Sequence, residues 1–387
     1  MIEKVIDAYK ANFSENDEFL AIKSPGRINL IGEHTDYNNG YVFPAAIDKY
    51  IYTVGAKNKT NIINVVSLKY NQILTFDVTT TQKPSSNGWE NYIIGVVEEF
   101  KKLGCKLSGF NAVFDGDIPR GAGLSSSAAL ENSFGVLLEN LFDLSLSKKD
   151  IALASQQAEH NYAGVNCGLM DQYASIFGEK EKALVLNCDT NEHQLVNVYT
   201  HNYEIVLINT NVKHELSSSA YNERREQCET ALKAIQKKYP QRRHLSEITL
   251  EELTSIEEKV TPVVYQRALY IVNENRRVLQ AIEALESDDI LQLGSLMFQS
   301  HQGLSESYEV SCDELDFLVE KAKQNPFIVG SRMMGGGFGG CTINIIEKGQ
   351  TNDFVNSVAE EYIQKFGLKI SVITVKFVNG THVTCSK

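Results

Sequence analysis

Short alternating runs and longer helical stripes divide the chain. Ile2, Val5, Ile6, Tyr9 and Phe13 recur at three- and four-residue intervals, which predicts an amphipathic surface helix. Five runs rich in β-branched and aromatic residues follow: FLAIKS (19–24), YIYTVGAKN (50–58), NIINVVS (61–67), ILTFDV (73–78) and FNAVFDGD (110–117). Turn residues bound each of them, and each predicts a strand. LSSSAALENSFGVLLENLF (124–142) predicts a helix with serines at its N-terminus and an apolar stripe behind them. KKDIALASQQAEHNYAG (148–164) predicts a second helix, capped by Asp150 and stopped near Gly164.

The second half opens on a strand at Tyr203 to Thr210 and a long helix over 221–239. Further helices are expected around 263–285 and 289–302, and Ser311 with Glu314 forms a capping-box pattern ahead of LDFLVEKAKQ. Strands at CTINIIE (341–347) and ISVITVKFV (370–378) flank a helix near 352–366. Strands and helices do not alternate strictly, so the pattern reads as α+β rather than a doubly wound α/β sheet. There is no internal repeat. A length of 387 residues favours two domains. We place their boundary between 180 and 200, which gives an N-terminal unit 1–185 and a C-terminal unit 186–387.

Composition narrows the partners. The formal charge of −12, with no basic block, argues against nucleic acid and anionic membrane as ligands. It leaves a phosphate ligand open, because backbone amides can build a local positive site in an acidic protein. The seven cysteines are scattered and no two are spaced as CxxC, so neither a zinc ribbon nor a redox pair is indicated. The start lacks a secretory signal, and no stretch approaches the ~18 apolar residues of a membrane span. A cytoplasmic protein with reduced thiols is expected, and nothing in the pattern calls for an obligate protein partner.

Four stretches carry candidate chemistry. SPGRINLIGEHTDYNNG (24–40) crowds Arg27, Glu33, His34 and Asp36 among three glycines. In GDIPRGAGLSSSAALE (116–131), glycines and three hydroxyl residues lead into a helix. Free N–H groups and the helix dipole could hold an anion there, and a hydroxyl could ligate Mg²⁺. The plainer reading is serines that cap a helix over a flexible loop. No GxxxxGK[ST] occurs, and the HRD and DFG motifs of protein kinases are missing. MMGGGFGGCTINIIE (333–347) contains GxGxxG, but its glycines lead into a strand, which rejects a Rossmann site. It is either a turn between strands or a loop whose backbone lies against a ligand. AEHNYAGVNCGLMDQYASIFG (158–178) holds Glu159, His160, Cys167 and Asp171. Asp171 lies among apolar neighbours and needs a partner, so it is a helix cap or a functional base. A cysteine hydrolase built on Cys167 and His160 lacks any surrounding signature.

Taken together, these stretches resemble the GHMP small-molecule kinases, and among them the galactokinase family. GRINLIGEHTDYNNG resembles that family's N-terminal signature without departure, PRGAGLSSSAA its phosphate-binding motif and MMGGGFGGCTI its third motif. CGLMDQYAS and SSSAYNERR match two further segments, and order and spacing agree from about residue 15 to 380. The resemblance implies ATP-dependent phosphorylation of the anomeric hydroxyl of α-D-galactose. It also implies a two-domain fold, with an N-terminal domain like ribosomal protein S5 domain 2 and a ferredoxin-like C-terminal domain. By the resemblance Asp171 is the catalytic base and Arg27 its partner. Glu33, His34, Asp36, Gly168, Asp171 and Tyr221 hold the sugar. Gly121, Ala122, Gly123, Leu124, Ser125, Ser126 and Ser127 form the nucleotide phosphate loop, with Ser127 and Glu159 as Mg²⁺ ligands. Ser67, Trp89 and Tyr92 line the nucleotide pocket.

That implied chemistry agrees with the residue types. A sugar presents hydroxyls, which suit carboxylate acceptors and an imidazole at fixed positions. Phosphoryl transfer rests on positioning and electrostatics, and Asp171 beside Arg27 is expected to take the proton late, once the O–P bond is partly formed. Rival readings are a related sugar 1-kinase for N-acetylgalactosamine, arabinose or a uronic acid, and a sugar sensor. A sensor would carry a damaged phosphate loop, whereas GLSSSAA is intact here.

Overall fold

A computed structural model describes residues 1–13, 18–119, 121–212 and 217–386. Arg120 of the glycine–serine loop lies outside them, as do the side chains of residues 217–219. Helix α1 (Ile2–Asn12) leads into β1 (Leu20–Asn29), β2 (Tyr41–Val42), β3 (Pro44–Lys57), β4 (Ile62–Ser67) and β5 (Gln72–Asp77). Helix α2 (Gly88–Lys102), β6 (Phe110–Gly116), α3 (Ser126–Phe142), α4 (Lys148–Ala158) and α5 (Met170–Phe177) complete this part. The hairpin β7 (Lys182–Asn187) and β8 (Glu192–Asn197) follows, and β7 pairs with β2.

Next come β9 (Tyr203–Asn209), α6 (Ser217–Gln236), α7 (Leu250–Thr254), α8 (Pro262–Glu286), α9 (Ile290–Gln302) and α10 (Asp313–Lys323). The chain closes with β10 (Ile328–Met334), β11 (Cys341–Glu347), α11 (Thr351–Phe366), β12 (Ser371–Val375) and β13 (His382–Ser386). The first sheet runs β13-β1-β3-β6-β4-β5, and the second runs β10-β11-β9-β12 with every pair antiparallel. Strands and helices of the second sheet follow the split β-α-β-β-α-β plan of ferredoxin-like domains. The expected two-domain α+β fold is therefore present, and β13 stitches the end of the chain onto β1.

Helix α3 is buried along almost its whole length, Ala128 to Leu138, because it packs on β1 and β3 and against α2, α4 and α5. Apolar residues all round such a helix are what a central position requires. Its N-terminus, Ser125 to Ser127, is thereby fixed beside β1. Helix α2 escapes the sequence reading because Glu90, Asn91, Glu98 and Glu99 lie buried among its apolar residues. Strands β2, β10 and β13, the β7–β8 hairpin and helices α5 and α7 likewise have no counterpart among the expected elements.

Two cap assignments need correction. The N-cap of α4 is Ser147, and Asp150 is its capping-box partner three residues on, since each bonds the other's backbone N–H. At α10 no capping box forms: Cys312 is the N-cap, and Ser311 Oγ donates to Asp316 at 2.5 Å instead. Helix α4 passes into a single π-helical turn, Glu159–Ala163, which ends at Gly164 with φ 73°.

Candidate active site

Strand β1 carries a register break between Pro25 and Arg27. A β-bulge of this kind bends a strand and re-aims a side chain. Gly26 at the break presses on the phosphate loop, since a Cβ there would stand 2.6 Å from the Leu124 carbonyl oxygen. Arg27 N–H donates to that same oxygen at 3.2 Å. The Arg27 side chain thus turns to meet Asp171, in the first turn of α5, with Nε donating to Oδ1 at 2.6 Å and Nη2 to Oδ2 at 2.9 Å. Nη1 donates to the Gly123 carbonyl at 2.5 Å. Burial opposes the charge on Arg27, but Asp171, with Glu33 and Asp36 behind it, outweighs burial and holds the guanidinium firmly protonated.

Asp171 is not a helix cap. The N-cap of α5 is Leu169, and both Asp171 oxygens are held by Arg27, while Oδ2 also accepts from Ser125 Oγ of the loop. Ser125 sits at φ 55°, a left-handed geometry unusual for serine, and its hydroxyl makes no capping bond. The reading of these serines as mere caps therefore fails at Ser125. Ser126 is exposed and Ser127 is half-buried at the start of α3, and the first-turn N–H groups of a helix can hold an anion. The third motif forms the β10–β11 turn, and Gly335 approaches Gly123 closely enough that a Cβ would lie 3.9 Å from its Cα. The motif is a turn between strands, as one of its two expected forms has it, and Gly335 and Gly336 of that turn line the cavity.

The cavity measures about 390 Å³ and is lined by Arg27, Glu33, His34, Asp36, Glu159, Gly168, Asp171 and Tyr221 among others. Gly168 backs onto Asp36 so tightly that a Cβ would fall 2.0 Å from Asp36 Oδ2. Asp36 retains some accessible surface because it faces this cavity, yet protein surrounds it. Desolvation, then the nearby Asp171 and Glu33 charges, push its carboxyl up to about 7. His34 occupies a left-handed φ of 64°, and its Nδ1 pairs with Tyr37 Oη at 2.8 Å. Burial and the Arg224 charge push its imidazole down to about 3.

Glu33 brings an unforeseen partner. Oε2 accepts from both Nη1 and Nη2 of Arg332 at 3.0 Å, and the pair is almost fully buried. Arg332 also donates to the carbonyls of Asn29, Leu30 and Met333. The backbone of the same loop is pinned by Glu274, which accepts from Gly32 N–H at 2.9 Å, and by Tyr270 Oη, which donates to the Glu33 carbonyl. One signal for Arg332 was present in the sequence, a lone charge inside the apolar run IVGSRMM. Nothing local marks Glu274 or Tyr270.

Glu159 lies where the π-helical turn begins, hydrogen-bonded by Ser127 and by Gln172 Nε2 at 2.9 Å. Burial first, then Asp171, raises its carboxyl to about 6. Gln172 reaches Glu131 as well, and Glu131 Oε1 is buried without a partner. No group of three or more His, Cys, Asp or Glu able to hold a metal exists among the described residues. Mg²⁺ needs no such cage, because it keeps waters and substrate phosphates in its shell. Hard oxygens from Ser127 and Glu159, adjacent at the loop, fit that requirement.

Ser67, Trp89 and Tyr92 do not line the 390 Å³ cavity. Ser67 and Trp89 are buried, Trp89 stacks on Tyr70 at 5.8 Å between centroids, and Tyr92 feels the Glu159 charge. The cysteine-hydrolase reading gains no support. Cys167 donates to Glu159, burial pushes its thiol far up, and His160 bonds the Cys167 carbonyl rather than its sulfur. All seven cysteines are free, and no described helix is long and apolar enough to cross a membrane.

The chain is similar to known proteins along nearly its whole length. Models described as "GHMP kinases N terminal domain" and "GHMP kinases C terminal" match residues 91–179 and 281–364. A "Galactokinase galactose-binding signature" matches residues 7–57. The chain is 39% identical to galactokinase from Clostridium acetobutylicum over 98% of its own length and 97% of the relative's. It is 39% identical to galactokinase from Thermotoga maritima, covering 93% and 99% of the two chains. The crystal structure of Lactococcus lactis galactokinase complexed with galactose superposes with a TM-score of 0.93 at 35% identity, covering 97% and 98%.

Proposed function

The chain belongs to the galactokinase family of GHMP kinases, and from that premise we propose how its residues divide the work of phosphorylating galactose. The enzyme transfers the terminal phosphoryl group of ATP to the C1 hydroxyl of galactose, giving galactose 1-phosphate and ADP. The observation that carries our reading is the Arg27–Asp171 pair, which stands between the carboxylate-rich cavity and the N-terminus of α3. Galactose fills the cavity with its C1 hydroxyl toward Asp171, against Glu33, His34, Asp36, Gly168 and Tyr221. The phosphates of ATP lie along Gly121 to Ser127, where backbone N–H groups face them.

Asp171 receives the proton of the C1 hydroxyl as the new O–P bond forms, and Arg27 keeps the carboxylate aimed while its charge offsets that of the phosphoryl oxygens. Ser127 and Glu159 would hold Mg²⁺, which supplies further neutralisation of phosphate charge when bound. The nucleotide base extends toward the α2 face that carries Trp89 and Tyr92, near Ser67. We divide the domains near residue 185 and place the enzyme in the cytoplasm.

The test of this reading is ADP release across hexoses, pentoses and amino sugars, with Mg²⁺ and then with EDTA. Galactose should outpace N-acetylgalactosamine and arabinose, and chelation should abolish release. Faster turnover of another sugar would move the chain to a neighbouring sugar 1-kinase.

Two narrower outcomes follow for Asp36. Asp36→Ala should raise KM for galactose about 10- to 100-fold, the size of a lost charged hydrogen bond, with KM for ATP nearly unchanged. Equal rises in both constants would remove Asp36 from the sugar site. Because its carboxyl sits at about 7 before sugar binds, galactose affinity should strengthen as pH rises from 6 to 8. The sign follows from the ligand: a carboxylate accepts two sugar hydroxyl bonds where the neutral acid accepts less well. Calorimetric titration should show a proton released on binding below pH 7, absent in Asp36→Asn. A pH-independent affinity would contradict the assignment. Stability responds oppositely, since a raised carboxyl stabilises the fold at low pH and loses that contribution as pH rises from about 4 through 7.

A further inference from the structure

The last turn of α9 reaches the loop that carries Glu33 by two routes, and neither Ser300 nor His301, which begin them, lines the cavity. Ser300 Oγ donates to Glu274 Oε1 at 2.7 Å, the oxygen that also accepts from Gly32 N–H. His301 acts instead on β10, which lies at the edge of its sheet. The Met333 N–H donates to His301 Nδ1 at 3.1 Å, and the Met333 carbonyl accepts from Arg332 Nη1 at 2.6 Å. Both polar groups of this edge residue thus find partners in side chains. Arg332 carries the connection on to Glu33 Oε2.

Helix packing puts His301 at the strand. Gly294 seats α9 on β10 so closely that a Cβ would fall 1.9 Å from the Val329 carbonyl oxygen, and a Cβ on Gly330 would stand 2.5 Å from the Gly294 Cα. His301 follows seven residues later, two helical turns along the same face. Its ring is almost fully buried against the strand. The direction of the hydrogen bonds is fixed by the first of them. A backbone N–H can only donate, so Nδ1 is the acceptor, and an imidazole that accepts at Nδ1 carries its hydrogen on Nε2. Nε2 meets Asp316 Oδ1 on α10 at 3.2 Å. Asp316 also accepts from Ser305 Oγ at 2.9 Å and from Ser311 Oγ, so it is held from three sides. The ring is therefore locked with Nδ1 toward β10.

We propose that His301 is a positioning residue for the sugar site: backed by Asp316, it holds the Met333 peptide so that Arg332 stays aimed at Glu33. Without it the Met333 N–H loses its partner, the edge of β10 is free to shift, and Arg332 no longer meets Glu33 squarely. This role rests on the cavity being the galactose site.

Steady-state kinetics of His301 variants of the full chain test it. His301→Leu should raise KM for galactose about 3- to 30-fold, the range for residues that act on a site from outside it, with kcat and KM for ATP within about twofold. His301→Asn should bring KM for galactose back to within about twofold of the unmodified chain, because its Oδ1 stands where Nδ1 stood and accepts from Met333 N–H. His301→Gln, whose amide reaches the place of Nε2, should not. An unchanged KM in His301→Leu, or an asparagine variant as impaired as the leucine one, overturns the proposal. Asp316→Ala keeps the test open if a variant at the buried ring fails to fold, since this side chain is half-buried. It should raise KM for galactose in the same selective way, and no rise overturns the proposal. Long-range ¹H–¹⁵N correlation on chain labelled with ¹⁵N-histidine, assigned through His301→Asn, should place the ring hydrogen on Nε2; a hydrogen on Nδ1 overturns it as well. Asp36→Ala separates the two levels. If KM for galactose does not rise there, the cavity reading fails and this role falls with it. If KM rises there but not in His301→Leu, this role alone fails.

Discussion

Replacing Asp171 by asparagine is expected to lower turnover by about 10²- to 10⁴-fold, the range for loss of a positioned acid–base group, with galactose affinity held within a few-fold. The amide keeps the shape and can still accept from Arg27 Nη2 and Ser125, but it has no carboxylate to receive the proton of the C1 hydroxyl. The choice of asparagine matters because alanine would also free Arg27. The guanidinium is almost fully buried, and without Asp171 it would keep only the Gly123 carbonyl as a partner. Asparagine also removes the counter-charge, but it keeps an acceptor on the guanidinium, whereas alanine would add the loss of those hydrogen bonds and so blur a catalytic loss with a structural one. Turnover near that of the unmodified enzyme would remove Asp171 from the chemistry, and kcat with separately titrated galactose affinity decides between the outcomes.

The second large effect concerns stability. Arg332→Met should lower unfolding free energy by about 3–5 kcal/mol, the cost of breaking a buried ion pair from one side. Methionine fills the volume, yet Glu33 Oε2 loses both of its donors, and three backbone carbonyls lose theirs. Removing the second charge as well, in Arg332→Met with Glu33→Gln, should recover part of the loss because no bare carboxylate then stays buried. The single variant should also raise KM for galactose, since Glu33 would lose the clamp that aims it. Calorimetric melting of both variants checks the sign of the coupling. An unchanged melting temperature in Arg332→Met would show that the pair does not hold the loop.

What could be read from the chain and what could not separates along physical lines. The polar loop 24–40, the loop 121–127 and Asp171 announce themselves by residue type and by glycine, and the fold does bring them to one cavity. Their partners do not. Arg332 and Glu274 lie about 300 and 240 residues from the loop they secure, and no local period encodes such a pairing. Helix α2 was lost because its buried glutamates and asparagine blur the apolar stripe on which helix reading depends. At α4 the N-cap is Ser147 rather than the expected Asp150, and at α10 it is Cys312 rather than Ser311, because the residue at which a chain enters a helix is fixed by backbone geometry. Asp171 shows the reverse case. Sequence left it as cap or base, and its bonds to Arg27 and Ser125 exclude the cap.

The activity of this chain is a regiospecific phosphoryl transfer from ATP to galactose. Phosphorus NMR of the purified chain turning over ATP, Mg²⁺ and galactose tests it most directly. A single new phosphate ester on the C1 oxygen of galactose, formed in step with ADP, is expected. An ester on another hydroxyl, or inorganic phosphate released without any sugar ester, would contradict it.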